Sequence, residues 1–301
     1  MADVELRPMS LGEVLDRTFN LYKNNFLLFA GITALPFFLV LLAEVGAAGF
    51  AAMKGAVPQA APMSRGALGS AIGGGAFVLI LYFLMIGAAH AATVFAVSDL
   101  YLSRPASIRG SFARVGWKAL RVLLIFFFIG LVVGGGFFIV FMLGAFLGSS
   151  AVIALGMLAL IVPAIILVCR TAVAIPTAML EDAGAVRAIE RSMQLTKGHA
   201  LQLFIIFVLV VTVTYVGILL FQAPVMALIV ASVAAQKTPS FGLQVLQHLA
   251  EFISQVMVGP IGTIAFSLMY YNLRVRKEAF DIQHLMASLD TNPATNSPSV
   301  A

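Results

Sequence analysis

Six long apolar runs follow one another along the chain, each separated from the next by a short polar segment. They fall at about 26–50, 71–99, 120–147, 151–178, 201–231 and 243–271. A helix needs about 20 apolar residues to cross a hydrocarbon core about 30 Å thick, and every run is long enough. Stretches such as LQLFIIFVLVVTVTYVGILLF (201–221) do not alternate apolar with polar, as a transmembrane strand of about ten residues would. The pattern therefore predicts six transmembrane helices. A charged amphipathic segment precedes the first run, which spans 26–50 and exceeds the roughly 7–15 apolar residues of a secretory signal. That first helix is expected to stay attached.

The polar segments carry a pattern of their own. VLDRTFNLYKNN (14–25) and AIERSMQLTKGH (188–199) place an acid beside an arginine at Asp16–Arg17 and Glu190–Arg191, then a hydroxyl, a large apolar residue, an amide and, further on, a lysine. On a helical wheel the first copy gathers Leu11, Val14, Leu15, Thr18, Phe19 and Tyr22 on one face, and Ser10 with Glu13 fits a capping box. The second copy sets Val186, Ile189, Met193 and Ala200 against Arg187, Glu190, Arg191, Gln194 and Lys197, with Leu195 on the polar side. SIRGSFARVGWKALRV (107–122) is a more diverged third member, with Ile108, Phe112, Val115, Ala119 and Val122 at helical spacing. The chain thus reads as an all-α membrane domain over 1–285, built of three units at about 8–100, 104–178 and 181–272. Each unit is an amphipathic interfacial helix followed by a transmembrane hairpin. Residues 286–301 are polar and are expected to form a disordered cytoplasmic tail. Two placements stay open for the amphipathic helices. They lie in the headgroup plane with Arg17, Lys23, Arg109, Arg114, Lys118, Arg191 and Lys197 toward anionic lipid, or they pack on the end of their own bundle.

Composition agrees with this picture. Of 301 residues 61% are apolar and 10% charged, with a mean hydropathy of +1.04, against about half apolar and a quarter charged in soluble domains. Fourteen of the 18 Lys and Arg residues fall in the N-terminal segment, the 101–121 and 179–200 links and the tail. The positive-inside rule then puts both termini in the cytoplasm. The net charge of +5 is accounted for by topology and attraction to anionic lipid. No folded domain is left to present a basic surface to nucleic acid. The single Cys169 excludes a disulfide framework or thiolate metal site within one chain.

Ionisable residues inside spans are candidate functional groups. Arg170 and His90 form an expected inner layer, eight or nine residues from the cytoplasmic ends of their spans. Glu44, His248 and Glu251 fall in the outer half, and Gln244, His248, Glu251 and Gln255 share one face of the last helix. The alternative for each is architectural: Arg170 capping carbonyls or clamping a neighbour, the outer stripe forming a wet helix end or a seam. His248-x-x-Glu251 lacks the second histidine of a zinc peptidase motif, and no nucleophile elbow or phosphate loop is present. The sequence therefore assigns no catalytic residue, no metal and no cofactor. Gly130 with Gly134, and Gly144 with Gly148, are small-xxx-small pairs expected to pack within the chain. Pro36, Pro163, Pro176, Pro224 and Pro260 lie in or at the ends of spans, where they can kink helices.

Three stretches carry a resemblance: ELRPMSLGEVLDRTFNLYKNNF (5–26), RTAVAIPTAMLEDAGAVRAIERSMQLTKGH (170–199) and YYNLRVRKEAFD (270–281). Over the chain to about residue 285 the sequence resembles a bacterial family of multi-pass proteins labelled the membrane domain of glycerophosphoryl diester phosphodiesterase. In that family the label comes from members fused to a soluble hydrolase barrel. Such a barrel takes about 250 residues, and the six spans leave no room for it within this sequence. The resemblance implies a membrane domain of the bacterial inner membrane without the hydrolase activity. The expected function is a non-enzymatic scaffold or accessory factor linked to membrane lipids, with a protein partner or a second copy left open. The alternative is a small transporter or channel with a polar site at the residues named above.

Overall fold

A computed structural model describes residues 7–53 and 65–279, the side chains of 51 and 65–72 excepted. Lys54 and the tail expected at 286–301 lie outside the described residues. Among the described residues all regular structure is helical. The helices are α1 (Leu11–Asn24), α2 (Phe26–Met53), α3 (Arg65–Tyr101), α4 (Ile108–Ala113), α5 (Lys118–Phe146), α6 (Ser150–Thr171), α7 (Ala174–Leu180), α8 (Ala185–Leu195), α9 (Ala200–Ala234) and α10 (Phe241–Glu278). Among the described residues six segments are long and apolar enough to span a membrane, each built on one of α2, α3, α5, α6, α9 and α10, with α7 continuing the α6 segment.

Neighbouring spans pack in the order α2, α3, α5, α6, α9, α10, and α10 closes the ring on α2. α10 also reaches across to α3. Burial falls unevenly. In the α10 segment 56% of the most apolar window is buried, against 11% for α5 and 6% for the segment containing α6, so the α5–α6 hairpin is the least enclosed part of the ring. The core sits at one end of the bundle. There, every residue from Ala91 to Asp99 is buried, and so is most of Pro260–Leu273. α3 and α10 run in the same direction at a constant register: His90 meets Thr263 and Ser98 meets Tyr271, each pair 173 residues apart. The Tyr101 and Tyr271 rings stack at 4.5 Å between centroids.

The short helices cover this end, and they bury their apolar faces in protein. Ser10 and Glu13 form the expected capping box at the start of α1, whose Val14 and Thr18 are buried. The face expected for α8 is corrected. The buried positions are Ala185, Ala188, Ser192 and Leu195, while Val186 is 56% exposed. Small side chains and a hydroxyl let α8 approach its neighbours closely, which side-chain hydrophobicity alone does not register. Measured 174 residues back, these positions are Leu11, Val14, Thr18 and Leu21, the inward face of α1. The helix expected around 107–122 is corrected too. α4 is only six residues long, and the chain turns at Gly116 (φ +42°), a conformation open to glycine, before α5 begins.

Candidate functional site

Inside the ring lies a cavity of about 500 Å³. Its wall is mainly apolar and aromatic, with Phe37, Phe126, Phe207 and Phe266 contributed by α2, α5, α9 and α10. Pro260 lies in the wall with Gly259 and Gly262, in a stretch of α10 that spends little side-chain volume and so leaves room. The polar groups converge from opposite sides. Nδ1 of His90 and Oγ1 of Thr263 are 2.5 Å apart, the His90 ring packs 5.6 Å from that of Phe126, and Thr33, Thr93, Thr171, Thr214 and Gln255 complete the polar lining. Three of these hydroxyls, those of Thr33, Thr93 and Thr171, donate back to carbonyls one turn earlier. A polar group in hydrocarbon needs such a partner.

Arg170 does not line this cavity. The sequence pairs Arg170 with His90 as an inner layer; of the two, His90 lines the cavity. α6 stops one residue beyond Arg170, so the side chain extends to α8, where Nη2 donates to the Met193 carbonyl at 3.1 Å. The Arg170 carbonyl in turn accepts from Ser192 (2.9 Å) and Thr196 (3.1 Å). Arg170 thus bridges α6 and α8 through both its side chain and its carbonyl.

The outer residues do come together. Glu44 on α2 and His248 and Glu251 on α10 offer three ligand atoms within 4.8 Å of one another. A groove of about 520 Å³ lined also by Gly74, Gly75, Val78 and Tyr82 gives onto them. Between this cluster and the central cavity stands Gln255, which lines the cavity and also a gap of about 10 Å³ beside the cluster. That gap is near the minimum that holds one water. Spacing along α10 shows His248, Glu251 and Gln255 on one face; Glu44 and Tyr82 as their neighbours, and Thr263 as the partner of His90, were not readable, because they come from packing.

The seven basic residues expected at lipid divide into two groups. The Arg17 guanidinium lies 4.7 Å from the Tyr101 ring centroid, Arg114 makes a two-pronged pair with Asp99, and Lys118 lies 3.1 Å from Asp182. Arg191 joins a closed ring. It bonds Glu181 (3.1 Å) and Glu278, Arg274 bonds Glu278 (3.1 Å) and Tyr270 (3.3 Å), and Tyr270 donates to Glu181 (3.0 Å). Lys23, Arg109 and Lys197 are exposed at the same end.

A ring of six apolar helices, an inner cavity and a charged end plate define the class: a polytopic α-helical membrane protein. The chain belongs to the family described as the membrane domain of glycerophosphoryl diester phosphodiesterase, whose model matches residues 140–296, just over half of the 301. The match takes in α6 to α10 and the end of α5, leaving the N-terminal stretch of the resemblance outside it. The description names the membrane part of such proteins and not their hydrolase. No curated protein and no solved structure matches the chain.

Proposed function

We propose that this is a non-enzymatic accessory protein of the bacterial inner membrane that holds a largely apolar, lipid-class molecule in its central cavity. The cavity itself carries the reading. Its volume of about 500 Å³ lies within the 300–1,000 Å³ of small-molecule sites, and its wall combines aromatic surface with a few converging polar groups. The His90–Thr263 pair would hold the ligand's one polar end. The charge bias places α1, α4 and α8 on the cytoplasmic side. There the exposed Lys23, Arg109 and Lys197 and the 90% exposed Trp117 are suited to anionic headgroups and the interface. The matching inward faces of α1 and α8, 174 residues apart, support a first and third unit of common plan, with the middle unit diverged. The outward, exposed side of the α5–α6 hairpin leaves a protein partner or second copy open.

A transporter is the second reading, favoured by one observation. Glu251, Gln255, Gly259 and Thr263 stand four residues apart on α10, one stripe from the outer cluster to the cavity. The gap of about 10 Å³ beside Gln255 leaves this path shut, so binding comes first. The test is native lipid mass spectrometry of the purified protein with flux measured in liposomes. A Cβ at Gly259 meets only Gln255 Oε1 at 3.5 Å and Thr33 Cγ2 at 3.9 Å, so Gly259→Leu fills the cavity without striking backbone. A bound lipid present in the wild type and lost in folded Gly259→Leu supports the proposal. Flux that Gln255→Leu blocks would promote transport instead, and absence of both ligand and flux would overturn the cavity's role.

A further inference from the structure

The outer cluster asks for something that the cavity reading does not use. Glu44 and Glu251 bring two carboxylates side by side near the far end of the spans, with side-chain exposure of 18% for Glu44 and 25% for its neighbour His248. No Lys or Arg lines either space beside them. Adjacent carboxylates in a membrane-embedded, half-buried place repel one another and are poorly solvated. A neutral imidazole offsets neither charge, and a protonated one offsets only one of the two. A divalent cation offsets both.

The imidazole points to the same answer. Nδ1 of His248 lies 3.1 Å from Glu44 Oε2 but off the hydrogen-bonding direction, and this buried nitrogen has no hydrogen-bond partner among the described residues. Buried polar atoms are nearly always satisfied. An imidazole nitrogen 3.1 Å from one carboxylate oxygen, in a group whose three ligand atoms lie within 4.8 Å of one another, is the donor arrangement of a metal site. His248 and Glu251 are one turn apart on α10, so both face α2, where Glu44 completes the set from a second packed helix. Rigid helices, and not a loop, fix all three.

We infer that Glu44, His248 and Glu251 form a binding site for a divalent transition-metal ion of the zinc class at the outer end of the α2–α10 seam. Metal–nitrogen and metal–oxygen bonds of about 2.0–2.2 Å place ligand atoms about 3–4 Å apart. The observed separations, all within 4.8 Å, close to this by small side-chain rotations. One imidazole with two carboxylates suits zinc or manganese better than calcium or magnesium, which take oxygen-only shells. Three protein ligands leave a fourth position facing the groove lined by Gly74, Gly75 and Tyr82, the arrangement that lets a water or an outside ligand reach the ion. The glycines also keep the approach open, since a Cβ at Gly74 or Gly75 meets nothing within 4 Å. This site stands apart from the lipid reading, and either can fail without the other.

The experiment uses the full chain, tag removed, in detergent, stripped with a chelator and then given Zn²⁺ alone. Bound zinc is counted by mass spectrometry after desalting, and Co²⁺ is added to a second sample to record its visible spectrum. The wild type is expected to keep one zinc per chain. Glu44→Gln and His248→Gln are each expected to weaken binding at least about tenfold while keeping any lipid bound in the cavity. Zinc at background level in the wild type would overturn the site, as would binding unchanged in both variants. Should the variants fail to fold, the wild-type Co²⁺ spectrum decides. Bands of nitrogen–oxygen ligation that Zn²⁺ displaces support the site, and a spectrum identical to aqueous Co²⁺ overturns it.

Discussion

Asn272 grips the backbone of Met9 with both ends of its amide, accepting from the Met9 N–H at 2.8 Å and donating to the Met9 carbonyl at 3.2 Å. Arg276 adds a donor to the same carbonyl at 2.7 Å. The segment before α1 is thereby fastened to the last helix, and both residues are buried. Asn272→Leu fills a similar volume but strands the Met9 N–H away from water, at a cost of about 1–3 kcal/mol, while Arg276 still holds the Met9 carbonyl. We expect a fall of that order in unfolding free energy by mixed-micelle denaturation. Arg276→Met should lose less, since the exposed arginine supplies only one of the bonds.

Two glycine pairs that look alike in sequence should behave oppositely. At Gly144 a Cβ would lie 3.0 Å from the Ile153 backbone nitrogen on α6, and backbone cannot move aside cheaply. Gly144→Ala should destabilise the protein by about 1–3 kcal/mol. At Gly130 and Gly134 nothing lies within 4 Å, so Gly134→Ala should be neutral or slightly stabilising through helix propensity, by up to about 1 kcal/mol. Equal losses at both positions would mean that the α5 face carrying Gly134 is covered in the folded protein.

The charged end should loosen in acid. Hydrogen bonds from Arg121 (2.5 Å) and Lys118 hold the Asp182 carboxyl below its ordinary value. In α1 the Ser10 backbone N–H and the Arg7 guanidinium pull Glu13 down to about 2. A carboxyl depressed on folding stabilises the fold above its unfolded pKa, near 4 for both types. It loses that contribution as pH falls through the folded value. Limited proteolysis near 183–184 should therefore quicken between pH 5 and about pH 2 in the wild type. Asp182→Asn should already be cleaved faster at pH 7 and change less on acidification.

The spans were legible because hydrocarbon thickness imposes one length and one chemistry on all of them. Expected bounds at 26–50 and 243–271 meet observed helices beginning at Phe26 and Phe241. What hydropathy could not mark was a break between two apolar elements. α7 follows α6 after two residues and is as apolar as the span it continues, with Pro176 in its first turn the only local sign. Nor could hydropathy follow α10 to Glu278, since there Arg274 and Glu278 are held by Tyr270, Glu181 and Arg191. The inward face of α8 was in fact present in its likeness to α1, whose Val14 and Thr18 align with Ala188 and Ser192, and was lost by ranking α8 residues on hydrophobicity alone. The three stretches that carry the family resemblance end beside one another at this plate, as Met9–Asn272 and Glu181–Tyr270 show. Glu44 could not be matched to His248 from sequence, because only the packing of α2 on α10 joins them.

Arg170 separates a ligand role from an architectural one. Its guanidinium caps the last turn of α8 through the Met193 carbonyl, its Nε is buried without a partner among the described residues, and it does not line the cavity. Removing the charge should therefore weaken the hold of α6 on α8, which Ser192 and Thr196 keep through the Arg170 carbonyl, and leave the cavity's contents alone. We expect Arg170→Met, which keeps much of the apolar stem, to lower stability by about 1–3 kcal/mol, the range for a hydrogen bond from a charged group. Lipid retained on the folded fraction should equal that of the wild type in native mass spectra. Thr263→Val should differ in the lipid: it strands the buried His90 Nδ1 and so also costs about 1–3 kcal/mol of stability, but it should reduce the lipid bound to the folded fraction, because it removes the hydroxyl facing His90 while preserving shape. If Arg170→Met kept full stability and shed the lipid, the arginine would belong to the binding site and the cavity would have to extend to it in the liganded protein.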